Sequence, residues 1–152
     1  MLRTPEVRGR VLSINISDRK GISKRPVEEG EFVPGAGIVG DAHFGTPGRE
    51  VSLLDRREID RFVQERGVEL KPGAFAENLT IEGLDLLSLP VGTELLVGEE
   101  VLLVISQHGK ECHSGCAIRE QVGDCIMPRR GVFARVVKGG RARRGDPIQV
   151  LA

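Results

Sequence analysis

Apolar and polar positions alternate most clearly in GRVLSINIS (9–17), where Leu12, Ile14 and Ile16 share one face and Ser13 and Asn15 the other. That period of two predicts a strand. VSLL (51–54) is a short, continuous apolar run and reads as a buried strand. DRREIDRFVQERG (55–67) follows it with helical spacing: Asp55 can cap, Glu58 stands three residues later, and Ile59, Phe62 and Val63 fall on one face. Gly67 is a natural stop. ELLVGEEVLLVISQ (94–107) places two apolar runs around VGEE and predicts a hairpin. GVFARVVKGG (131–140) and GDPIQVL (145–151) are two further strands, with Pro147 suited to a strand start.

Between these elements the periodicity fades. Residues 18–50 are rich in Gly, Pro and charge and read as a long loop with a short strand near Gly37–Val39. Loops of that length in compact domains are commonly functional. Residues 70–93 mix turns with short apolar pieces. One good helix among seven or eight short strands, with 20 Gly and 8 Pro, predicts a mainly β, barrel-like domain with one or two short helices over residues 1–152. The pattern does not give the topology.

Composition narrows the function classes. Lys plus Arg equals Asp plus Glu, 22 each, so no net charge draws the chain to nucleic acid or to a membrane surface. Tyr and Trp are absent, which removes most base-stacking platforms. No apolar run has the length of a membrane span, and the N-terminal stretch has no signal-peptide core, so a cytoplasmic protein is expected.

Candidate chemistry gathers in four segments. GKECHSGCAIREQVGDCIMP (109–128) contains all three cysteines, Cys112, Cys116 and Cys125. An odd number of cysteines in a reducing compartment disfavours a disulfide framework. Lys110, His113 and His108 could lower a thiol pKa at Cys112 or Cys116, whereas Cys125 precedes the apolar "IMP" and reads as a small buried hydrophobe. A zinc cage from His108, Cys112, Cys116 and Cys125 is the competing reading, although its spacing is looser than that of paired zinc ligands. The second segment, GIVGDAHFGTPGRE (37–50), presents Asp41, His43 and Arg49 on a glycine-rich backbone. In the third, PGAFAENLTIEGL (72–84), Glu77 and Asn78 interrupt an apolar stretch and either cap a turn or face a pocket. In the fourth, MPRRGVFARV (127–136), Arg129, Arg130 and Arg135 are suited to a phosphate; an ordinary solvated face or ion pairs account for them too.

Taken in order, GIVGDAHFG, REVSLLDRREID, PGAFAENLTIEGLDLLSLPVGTEL and GKECHSGCAI resemble the MOSC domain family, the C-terminal domain of molybdenum cofactor sulfurases, and within it the small stand-alone bacterial type. The resemblance implies a β-barrel fold and binding of the molybdenum cofactor, a phosphate-bearing pterin dithiolene. It also implies a cysteine near the metal or carrying sulfur for it, at Cys112 or, second, at Cys116. Asp41 and His43 match the family's GDxH piece, and Glu77 and Asn78 its ENL piece, which lies close to the cofactor in this family; the resemblance thus implies that these four residues orient cofactor and water, and that the arginines after Pro128 anchor the phosphate. Expected partners are the small-molecule cofactor and a cysteine desulfurase, a molybdoenzyme or an electron donor. No pyridoxal phosphate is expected in this chain alone. Two activities stay open, cofactor sulfur or metal handling and reduction of N-oxygenated compounds. The rival classes are a zinc-stabilised, non-catalytic binding module and a β-barrel adaptor with buried cysteines.

Overall fold

The structure is a computed structural model that describes residues 8–20, 22–109 and 126–151, without the side chains of 128 and 129. Its frame is a closed ring of seven strands in the order β11-β7-β8-β9-β5-β6-β1, with β11 pairing back onto β1. These are β1 (Arg8–Ile16), β5 (Val51–Asp55), β6 (Leu79–Glu82), β7 (Glu94–Val97), β8 (Val101–His108), β9 (Val132–Lys138) and β11 (Pro147–Leu151). All ring pairs are antiparallel except β5 with β6. Closure removes the exposed edges that an open sheet would present. Inside, Val11, Ile14, Val51, Leu53, Leu79, Ile81, Leu95, Leu103, Ile105, Val132, Ala134 and Val136 form a continuous apolar core.

The predicted strands 51–54, 94–107, 131–140 and 145–151 all form, and Pro147 opens β11 as expected. β1 forms too, but its core face differs from the simple alternation. Val11 pairs with Ile81 and Ser13 with Thr80, so Leu12 is an extra residue, a bulge. The bulge puts Val11 and Ile14 in the core and leaves Leu12 half-buried outside it.

The expected long loop at 18–50 contains three short strands: β2 (Arg25–Val27) on β1, and β3 (Glu29–Val33) with β4 (Gly37–Ile38). β3 and β4 join β10 (Gly140–Arg143) in a second, three-stranded sheet, which packs Phe32, Ile38 and Ala142 into the barrel core.

The helix α1 (Arg56–Arg66) begins at Asp55, whose carboxylate accepts from the Arg57 backbone N–H at 2.9 Å, and ends at Gly67 with φ 66°. Its Ile59 and Phe62 cover the outward face of β5 and β9 through Leu54 and Phe133, joined by Phe75, Ile126 and Met127. Phe62 meets Phe75 edge to face at 5.1 Å. This second cluster explains why VSLL is apolar without interruption: Val51 and Leu53 face the barrel core, and Leu54 faces the helix. A short helix, α2 (Met127–Arg130), leads into β9.

Candidate functional site

The glycine-rich loop after β4 is a run of successive turns. Asp41 N–H bonds Ile38 O, Phe44 N–H bonds Asp41 O and Thr46 N–H bonds His43 O. These turns bring Asp41 and His43 onto Lys24, a residue that no pattern in the sequence singles out. The Lys24 ammonium donates to Asp41 Oδ1 at 2.8 Å and to Ser17 Oγ at 3.1 Å, and lies 3.3 Å from His43 Nδ1. Asp41 also accepts from the Ser17 backbone N–H at 3.1 Å and from the His43 backbone N–H at 3.2 Å. Both side chains of the Lys24–Asp41 pair are fully buried, and the His43 side chain is 20% exposed. Burial pushes the Asp41 carboxyl upward. The adjacent His43, the Lys24 ammonium and the Ser17 backbone N–H outweigh that push and hold it well below the ordinary carboxylate range.

Glu77 and Asn78 come to the same region by a different construction. Glu77 accepts from the backbone N–H groups of Gly73 and Phe75, both at 3.1 Å, and from the Thr80 hydroxyl at 2.9 Å. Its complete burial pushes its carboxyl above the ordinary range, and those donors oppose the rise. Asn78 donates to Asn15 O at 3.0 Å and accepts from Ser52 N–H at 2.9 Å, tying β1 to β5. Gly73 joins the two constructions: its N–H goes to Glu77 while its carbonyl accepts from Lys24 N–H at 2.8 Å. A Cβ at Gly73 would stand 2.3 Å from Lys24 O, and its φ is +86°, so only glycine fits. Beside it, Ala76 carries φ 65°, an unfavourable conformation for a residue with a Cβ.

Cys112 and Cys116, with Cys125, Lys110 and His113, lie outside the described residues. Both stems of their segment are described. Gly109, after β8, donates to Gly131 O at 2.7 Å, just before β9. Ser106 of β8 donates to the carbonyl of Gly48, which ties the strand leading to the cysteines to the glycine-rich loop. Gln107 pairs with Phe133 and Phe133 with Ser52. Ser52 bonds Asn78, and Asn78 bonds Asn15. A continuous row through β8, β9 and β5, then Asn78 just before β6, and β1 thus leads from the cysteine stem toward Lys24.

The arginines are dispersed. Arg49 is exposed on the loop, and Arg135 is exposed on β9 between buried Ala134 and Val136. Arg130 pairs with Glu58 of α1 at 3.5 Å. The side chain of Arg129 is outside the described set. His108, a zinc-ligand candidate, lies 2.6 Å from Leu89 O through Nε2. Among the described residues no group of three or more His, Cys, Asp or Glu could hold a metal ion. A separate groove of about 420 Å³ between the β1 bulge and α1 is lined by Leu12, Ser13, Ile59, Val63, Leu70 and Pro72, and none of the sequence-predicted site residues lines it.

The sequence matches the family model of the MOSC domain over residues 40–149, a span that includes the glycine-rich loop, the Glu77–Asn78 turn and the cysteine segment. The chain belongs to the MOSC domain family. The MOSC fold recurs in solved structures. The YuaD protein from Bacillus subtilis superposes with a TM-score of 0.80 at 22% identity, over 94% of this chain and 95% of that one. YiiM from Geobacillus stearothermophilus gives 0.75 at 22%, over 95% of this chain and 75% of that one. YiiM from Escherichia coli gives 0.69 at 19%, over 94% and 70%. At these identities the likeness is one of fold. No curated protein sequence matches the chain significantly. Among the described residues, no helix of this MOSC protein is long and apolar enough to cross a membrane.

Proposed function

We propose that this MOSC domain binds the molybdenum cofactor beside the Lys24–Asp41–His43 cluster, with Cys112 as the sulfur donor to the metal or as the sulfur carrier and Cys116 as its neighbour. The observation that carries this reading is the buried Lys24–Asp41 pair with His43 at its exposed edge. A buried ion pair is costly to assemble and gives little net stability against an apolar replacement, so a positioning role is a reason to keep it.

The donor set fits an anionic, phosphate-bearing ligand. His43 stands at the exposed edge of the cluster beside the Lys24 ammonium, and Arg49 stands on the same loop. Phe44 and Val39, 45% and 47% exposed, flank them and offer apolar contact to a flat ring. Arg129, Arg130 and Arg135 are a second source of positive charge for the phosphate. Glu77 and Asn78 act from beneath, by fixing Gly73 and hence Lys24. The bound cofactor would supply a redox-active metal with sulfur ligands, for which a cysteine thiolate is a matching soft ligand. A cysteine persulfide is the alternative form in which the thiol would hold sulfur.

The chain's own residues do the following in this reading. Lys24 and Asp41 hold the imidazole, and His43 contacts the ligand. The loop from 37 to 48 forms one wall and excludes water. Enzyme and carrier roles share this site: reduction of N-oxygenated compounds needs an electron donor, and sulfur handling needs a cysteine desulfurase or a recipient molybdoenzyme.

The test is to purify the full chain from a host that makes molybdenum cofactor and to measure molybdenum, zinc and released pterin. Molybdenum and pterin in equal amounts support the reading. One zinc per chain without pterin would replace it with the zinc-stabilised module. Brief alkylation at neutral pH should label Cys112 ahead of Cys125; preferential labelling of Cys125 would remove Cys112 from its role.

A further inference from the structure

The Nδ1 nitrogen of His43 is contested. Lys24 Nζ lies 3.3 Å away and Asp41 Oδ2 lies 3.7 Å away. The two neighbours make opposite demands. A carboxylate only accepts, so pairing with Asp41 would place the ring proton on Nδ1 and leave Nε2 with a lone pair, able to act as a base or a metal ligand. An ammonium only donates, so pairing with Lys24 would leave the lone pair on Nδ1 and place the proton on Nε2.

The surrounding bonds decide between them. At 3.7 Å the Asp41 contact is too long for a hydrogen bond, and Oδ2 already accepts from the His43 backbone N–H. Ser17 Oγ gives its proton to Arg19 O at 2.9 Å and so meets Lys24 with a lone pair. Asp41 Oδ1 meets Lys24 as an acceptor at 2.8 Å. Among the described residues, three acceptors, Asp41 Oδ1, Ser17 Oγ and His43 Nδ1, stand within hydrogen-bond distance of the ammonium, which donates and does not accept.

We propose that Lys24 is a positioning residue that locks His43 with its proton on Nε2, so that His43 meets the ligand as a hydrogen-bond donor to an oxyanion and not as a base or a metal ligand. The juxtaposition follows from the fold. Gly73 O fixes the Lys24 backbone, and the turns from Ile38 to Thr46 fix His43. Among the described residues His43 Nε2 has no hydrogen-bond partner, which leaves its N–H for a ligand. This inference rests on the proposed site for the identity of that ligand, but not for the protonation pattern of the ring.

The experiment uses cofactor-free, full-length protein labelled with ¹⁵N in histidine and lysine, so its outcome is independent of whether molybdenum cofactor binds. Long-range ¹H–¹⁵N spectra at pH 8 report which ring nitrogen is protonated, and His43→Gln identifies the His43 signals among those of the three histidines. The expected result is a protonated Nε2, an unprotonated Nδ1 and a scalar coupling from Lys24 Nζ to His43 Nδ1 across the hydrogen bond. In Lys24→Met, Asp41 is the remaining charge beside Nδ1, and the proton should shift toward Nδ1. A wild-type ring protonated on Nδ1, or no Nζ–Nδ1 coupling in wild type, would overturn the proposal without needing the variant to fold. A folded Lys24→Met with the wild-type pattern unchanged would also overturn it. Failure of the protein to carry molybdenum would sink the functional reading and leave the ring assignment standing.

Discussion

The Asn15–Ser52–Asn78–Glu77 cluster and the Lys24–Asp41–His43 cluster meet at Gly73, yet they use buried polarity in opposite ways. In the first, carboxylate and amide are matched to backbone groups and hydroxyls of their own chain, and Glu77 and Asn78 have no exposed surface. In the second, the polar groups are matched to one another as charges, and the cluster ends at a partly exposed imidazole. The first ties strands and turns of the frame together. The second has an edge from which it can act on a ligand, although both occur in segments that look alike in sequence, short turns rich in Gly and Ala.

The largest effect expected is on the frame. Asn78→Ala orphans Asn15 O and Ser52 N–H in the interior, and at ~1–3 kcal/mol per unsatisfied group it should cost about 4 kcal/mol in urea unfolding. A loss below about 1 kcal/mol would mean that water replaces the amide and that the clamp is not dry.

Next comes the charge pair. Lys24→Met leaves Asp41 buried without its cation and should cost about 3–5 kcal/mol, whereas Lys24→Met with Asp41→Asn should recover most of that loss. A double variant no more stable than the single one would show that the pair is held by more than its charge.

The two clusters should also respond to pH with opposite sign. Asp41 has a lowered pKa, so its stabilisation is present above the unfolded value of about 3.9 and is lost as pH falls below it. Glu77 has a raised pKa, so its contribution is full at pH below about 4.3 and is lost as pH rises through its folded value. Urea unfolding from pH 2.5 to 8 should therefore show a shallower acid limb for the Lys24→Met/Asp41→Asn protein than for wild type. It should also show a stability gap between wild type and Glu77→Gln that narrows as pH rises. A Glu77→Gln gap that widened with pH would mean that its three donors outweigh burial.

The smallest effect belongs to Ala76. Left-handed backbone costs alanine roughly 1–2 kcal/mol, and glycine's extra freedom in the unfolded chain costs about 0.5–1 kcal/mol, so Ala76→Gly should stabilise by no more than about 1.5 kcal/mol. A clear loss would locate a packing role in its methyl group.

Much of the frame was legible because its signals are local. Asp55 and Gly67 bracket α1, and Gly98 turns the hairpin between β7 and β8. The failures were positions where a distant partner decides. The bulge at Leu12 depends on β6, and β10, with sequence GRAR, has only Ala142 to mark its core face. Lys24 in ISKRPV reads as a surface lysine, and the carboxylate that pairs with it in the interior, Asp41, is 17 residues on. Asp41 and His43 were legible because glycines frame them. Glu77 was legible as an interruption, but that it would accept from Gly73 and Phe75 depends on a turn that sequence periodicity does not report.

The central claim is that the Lys24–Asp41–His43 edge holds the cofactor while the Glu77–Asn78 cluster holds the fold. Its most direct test is molybdenum per chain in His43→Ala, purified beside wild type from a host that makes the cofactor, with the melting temperature of each. Loss of most of the molybdenum with a melting temperature within a few degrees of wild type is the expected result, since a partly exposed loop side chain contributes little to the core. Full retention of molybdenum by a folded His43→Ala protein would contradict it.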